Sequence, residues 1–163
     1  MRTFQAATLA LALLAGGCTT RPEGPAAIES EAISYETSPC FGACPVFKVT
    51  VRPDGTGMFE GKRFTAVSGE RSFRLSPAQY RAFAEQLAPL RPREGSVRVS
   101  GDECRQVATD LSAAEVTWFS QIGNSQSYYL YYGCDMEKNR ATAERLRRAP
   151  SLLPIQEMIG REL

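Results

Sequence analysis

Pro39-Cys40-Phe41-Gly42-Ala43-Cys44-Pro45-Val46-Phe47-Lys48-Val49-Thr50-Val51 joins a short cysteine-bracketed loop to the clearest strand pattern in the chain. Gly42 can take a positive φ at no steric cost, which lets the backbone double back between Cys40 and Cys44. Pro39 and Pro45 push the residues before them toward extended geometry, so neither end of the loop continues as helix. After Pro45 the pattern alternates. Phe47, Val49 and Val51 share one face; Val46, Lys48, Thr50 and Arg52 share the other. That period predicts a half-buried strand with its aromatic and β-branched residues inward. Phe41 is expected to pack down on the hairpin as a lid. Pro53-Asp54-Gly55 supplies turn chemistry, and Gly57-Met58-Phe59-Glu60 reads as the returning strand.

Working outward, Ile33 to Thr37 is a first strand, with Ile33, Tyr35 and Thr37 on one face. Phe64 to Val67 and Arg71 to Leu75 are further strand candidates, broken by Ser68-Gly69-Glu70. Ser76-Pro77-Ala78-Gln79 marks a helix start: Ser76 at the N-cap, Pro77 in the first turn, Gln79 closing a capping box. Tyr80, Phe83, Ala84 and Leu87 follow at helical spacing, so that face packs on the sheet. Pro89 and Pro92 end the helix. Arg91 to Arg105 is polar and loop-like, and Val107 to Leu111 includes a short strand. Glu115 to Phe119 and Ser127 to Gly133 form a second hairpin around Gly123-Asn124-Ser125. Either Asp135 or Asn139 caps a second helix running to Arg148. After Ala149-Pro150, an apolar helix carries Leu152, Leu153, Ile155, Met158 and Ile159. Strands followed by helix occur twice, a two-part layout. The fold class expected is α+β: an antiparallel sheet of hairpins, helices on one face, stapled by disulfides.

The 163-residue chain contains no histidine, which removes the commonest general base, metal ligand and physiological pH switch. Nineteen basic residues face 18 acidic ones. Nothing in that balance argues for nucleic acid as a partner.

Residues 1–17 read as a leader. Arg2 is its positive end, and Phe4 to Leu14 is an apolar run too short to span a bilayer. Leu14-Ala15-Gly16-Gly17-Cys18 resembles the lipobox cut by lipoprotein signal peptidase, although its leucine sits one place early. Cys18 is then the lipidation site, and the membrane is a partner through that lipid. The competing reading is ordinary cleavage with Cys18 a free thiol. Residues 18–32 form a polar tether with a random-coil reach of about 20 Å, and 33–163 form a single domain. Thr19 after the lipidated cysteine resembles an outer-membrane signal, which places the domain facing the periplasm.

Four cysteines remain, Cys40, Cys44, Cys104 and Cys134, an even number that reads as two disulfides in an exported protein. Three connectivities are possible. The favoured one joins Cys40 to Cys44, which is local, and Cys104 to Cys134, which brackets the second hairpin. The Pro-Cys-Phe-Gly-x-Cys-Pro motif, its alternating strand and the following Asp54-Gly55-Thr56 resemble a bacterial lipoprotein family, domain of unknown function 6438. The resemblance runs from about Ile33 to about Pro92. Val116-Thr117-Trp118 and Gly133-Cys134-Asp135 are similar to the tail of some members. It implies a shared domain and no reaction. The Cys-x-x-x-Cys-Pro spacing also resembles the Sco copper-delivery proteins. Those add a distant histidine and place the motif before a helix; here a strand follows.

Tyr128, Tyr129, Tyr131 and Tyr132 flank Leu130, so a strand sends two to each side. With Trp118 they make a possible binding surface for peptide or glycan; packing against Trp118 and the helices is the competing reading. Arg140, Arg145, Arg147 and Arg148 read as a solvated helix face, and Asp102, Glu103 and Asp110 as surface carboxylates. No catalytic residue, metal site or cofactor emerges. The function expected is a non-catalytic binding or structural role for a lipid-anchored envelope protein, with an envelope protein, peptide or glycan as the expected kind of partner. The alternative is thiol–disulfide or metal chemistry through Cys40 and Cys44.

Overall fold

The computed structural model describes residues 31–119 and 125–160. The leader, Cys18, the tether up to residue 30 and the turn residues Gly123 and Asn124 lie outside them.

Two hairpins share one sheet. The first is β2 (Val46–Val51) with β3 (Thr56–Arg63), continued by β4 (Gly69–Arg74). The second is β6 (Ala113–Phe119) with β7 (Ser125–Tyr131). β1 (Ala32–Thr37) lies between them, antiparallel to both β2 and β6. β5 (Ser96–Val99) adds to β7 in parallel, giving the order β4-β3-β2-β1-β6-β7-β5. The two-part layout read from the sequence is therefore one seven-stranded sheet, because β1 supplies hydrogen bonds to both hairpins.

The alternation places the core on one face. Tyr35 stands opposite both Val49 and Val116, and Phe47 stacks on Phe59 with ring centroids 5.5 Å apart. Three helices complete this side: α1 (Pro77–Leu87), α2 (Met136–Arg148) and the short α3 (Gln156–Ile159). α1 starts with the expected capping box. Ser76 Oγ accepts from the Gln79 N–H at 3.2 Å, and Gln79 Oε1 accepts from the Ser76 N–H at 2.8 Å. Two orphan amides are thereby satisfied. Tyr80, Phe83, Ala84 and Leu87 are buried on the sheet. α1 and α2 are tied by Gln86 and Arg145, each side chain donating to the other's backbone carbonyl, at 2.9 and 3.1 Å. The opposite face is polar. Glu36 accepts from Lys62 at 2.5 Å, and this bond chiefly raises the lysine's pKa.

Several expectations need correction. Phe64 to Val67 is a loop: Phe64 has φ 55°, and Ala66 and Val67 donate to the Ile159 and Met158 carbonyls, which draws the segment off the sheet toward α3. Arg91 to Arg105 contains β5, a strand whose partner lies some thirty residues on (Ser96 opposite Ser127). Val107 to Leu111 forms no strand beyond one bridge from Val107 to Cys134. The last helix is a 3₁₀ turn over Ala149–Leu152 followed by α3, since Pro150 and Pro154 interrupt the ladder.

Candidate functional site

β1 and β7 end, and β2 and β6 begin, at the same end of the sheet; both disulfides lie there. Cys40 is joined to Cys44 and Cys104 to Cys134. This is the favoured pairing of the three the sequence left open.

The Cys40–Cys44 loop is held at three points. Thr37 Oγ1 donates to the Pro45 carbonyl at 2.9 Å and accepts from the Phe47 N–H at 3.0 Å, bracing the bulge between Val46 and Phe47. Ser38 donates to the Ala113 carbonyl, and Phe41 N–H to the Asp110 carbonyl at 3.1 Å. Gly42 has φ 142°, the glycine conformation the reversal requires. Phe41 is not a lid. Its side chain is 87 % exposed. The backbone bond to Asp110 leans the loop across onto the 108–113 segment, and the inward face behind it is already filled by Phe47, Phe59 and Tyr35.

Beside this loop the Cys104–Cys134 bridge fastens a second one. Asp135, with φ 41°, caps no helix amide. Its Oδ1 accepts from the Gln106 N–H at 2.8 Å and its Oδ2 from the Arg105 N–H at 3.2 Å. These two bonds, Gln106 first, lower the Asp135 pKa. Asn139 Nδ2 donates to the Cys134 carbonyl. Gly133 lies under the Ala108 carbonyl, where a Cβ would meet that oxygen at 2.0 Å. Arg105, Gln106, Asp135, Glu137 and Lys138 line a shallow, open hollow of about 340 Å³. Its charges are mixed, so it favours no ion of one sign.

The tyrosines and Trp118 do not form one surface. Tyr128 and Tyr132 face the helices, whereas Tyr129 and Tyr131 face the polar side. Trp118 is 2 % exposed, packed beside Ile33 and Ala84. Its strand position faces the helices, so it cannot share a surface with Tyr129. Tyr131 Oη donates to the Ala108 carbonyl at 2.9 Å and so serves the loop. Arg98 lies over the Tyr129 ring at 3.9 Å. Tyr35 and Tyr132 meet in the core, and burial foremost raises both pKa values. Tyr132 Oη lacks a hydrogen-bond partner among the described residues.

The arginines of α2 have separate duties. Arg140 pairs with Glu137, Arg145 reaches Gln86, and Arg147 covers the Tyr132 ring at 4.3 Å. Asp102, Glu103 and Asp110 are exposed. Among the described residues no three His, Cys, Asp or Glu side chains are grouped to hold a metal ion.

One constellation escaped the sequence reading. Glu31 is nearly buried, gripped bidentately by Arg91 at 2.5 and 2.8 Å. Gln126 receives Arg91 Nε, and the Tyr80 hydroxyl donates to the Glu31 carbonyl. The chain thus enters the domain through a clamp, at the end of the sheet opposite the disulfides. No local signal marks it, because its members are up to 95 residues apart in sequence (Glu31 to Gln126).

No curated protein matches the chain. One family profile does, over residues 31–150, from the Glu31 clamp to the end of α2 and in agreement with the resemblance carried by the Pro39–Pro45 motif. The chain therefore belongs to the family DUF6438, a domain of unknown function.

Proposed function

We propose that this protein is a lipid-anchored envelope protein whose domain binds a protein partner through the Cys40–Cys44 loop. The observation that carries the reading is Phe41: a large apolar side chain, 87 % exposed, at the tip of a loop closed by a disulfide and fixed to Asp110. An exposed aromatic on a mobile loop loses rotamer and backbone freedom on binding. One on a closed loop has already lost most of it, so more of its burial energy appears as affinity. The anchor is Cys18, behind the Leu14-Ala15-Gly16-Gly17 segment. The tether enters at the clamped Glu31, so the Phe41 loop projects from the far end of the domain.

Thiol exchange or metal handling at Cys40 and Cys44 is the competing reading. A working dithiol is activated by a helix N-terminus or a nearby cation. Here Cys44 is followed by Pro45 and then β2, and Lys48 lies on the polar face of that strand.

The experiment is photo-crosslinking in native membranes. A benzophenone amino acid placed at Phe41 should yield a discrete adduct, and one placed at exposed Arg81 on α1 should not. Equal labelling from both sites, or none from Phe41, rejects the loop as the contact. The anchor is checked separately: Cys18→Ser should lose acyl mass and move the protein to the soluble fraction.

A further inference from the structure

β4 is an edge strand of the sheet, next to β3; on its outer side the Glu70 carbonyl accepts from Arg71 Nη1 at 3.0 Å, a bond that gives way when the edge pairs. Five of its six residues are exposed. Leu75 donates to the Gly55 carbonyl across the β3–β4 ladder. By the alternation of antiparallel bonds, odd-numbered residues of β4 pair inward with β3, and Glu70, Ser72 and Arg74 turn their N–H and C=O groups to the free edge.

We infer that β4 pairs with β4 of a second copy of this chain, antiparallel, with Ser72 opposite Ser72 on the two-fold axis. Only registers that oppose even residues to even residues can form bonds. In the central one, Glu70 lies opposite Arg74 of the second copy, twice, on the polar face. Arg71 lies opposite the second copy's Phe73, twice, on the helix face, where the closer non-hydrogen-bonded spacing suits a cation–π contact. A slip toward the N-terminus sets Arg71 against Arg71, which like charge disfavours. A slip toward the C-terminus leaves Glu70 without Arg74. Charges on an edge usually repel stray strands. Here the same charges are complementary to one partner in one register, and that partner is the chain itself. The resulting sheet is continuous through both copies. This surface is distinct from the Phe41 loop and does not depend on that reading.

The test uses the full chain in native membranes. Ser72→Cys, Arg71→Cys and Phe73→Cys are made singly and oxidised, with the unsubstituted chain as the control for Cys18. Across the axis, Ser72 Cα atoms would be about 5.5 Å apart, within disulfide range. The expected result is a covalent dimer from Ser72→Cys well above the other two. Glu70→Arg alone and Arg74→Glu alone should each cut Ser72→Cys crosslinking about tenfold, and the double exchange should restore it. Within one copy Glu70 and Arg74 are not cross-strand neighbours, so rescue requires two copies. Absence of a Ser72 dimer, stronger crosslinking at Arg71 or Phe73, or failure of the double exchange to rescue each overturns the pairing.

Discussion

The two disulfides stand at one end of the sheet and constrain different things. Cys104–Cys134 spans 30 residues and holds the 105–111 segment against β7 and the start of α2. Cys134 is buried in that contact. Cys40–Cys44 spans 4 residues and closes a loop that reaches into solvent. On the chain-entropy account the long bridge stabilises by about 3.6 kcal/mol and the short one by about 2 kcal/mol. The long bridge therefore supports the fold, whereas the short one shapes a tip. A small domain uses the same covalent device for cohesion at one site and for presentation at its neighbour.

That contrast can be broken most directly at the long bridge. Cys104→Ala with Cys134→Ala should lower unfolding free energy by about 2–5 kcal/mol in denaturant titration. A peptide map pairing either cysteine with Cys40 or Cys44 would remove the basis of the contrast.

The short bridge should behave differently. Cys40→Ser with Cys44→Ser is expected to cost no more than about 2 kcal/mol while abolishing any Phe41 adduct. The pair should also resist reduction by glutathione. A reduction potential near those of exchange catalysts would make the short bridge a redox centre.

Two smaller effects sharpen the picture. Asp135 has a lowered pKa because its charged form accepts from the Gln106 and Arg105 amides. Its contribution is present above the unfolded carboxylate value of about 3.9 and is lost as pH falls through the lower folded value. Amide exchange at 105 and 106 should accelerate in that acid window, ahead of the core of the sheet. Unchanged protection there would show that the disulfide alone holds the segment. Last, Tyr132→Phe removes a buried hydroxyl that lacks a hydrogen-bond partner, so stability should change little or rise slightly. A loss above about 1 kcal/mol would show that its contact with Tyr35 is a full hydrogen bond.

What was legible in the sequence was local. The alternation of Phe47, Val49 and Val51 set which face of β2 is buried, because side chains one apart on a strand must point oppositely. Ser76 and Gln79 announced α1, because a capping box is complete within four residues. The cysteine count and spacing pointed to two bridges. Tertiary structure decided everything that depends on distant partners. β5 became a strand because β7 offers it a parallel ladder, although Arg93 to Val99 carries little strand pattern of its own. The two hairpins became one sheet because β1 bonds to both. Phe41 turned outward because its amide found the Asp110 carbonyl, nearly seventy residues away, and Glu31 was buried because Arg91 reached it from sixty residues on. Periodicity and capping are properties of neighbouring residues and can be read along the chain. Strand pairing, burial of a charge and the direction of a loop are settled by atoms the sequence keeps far apart.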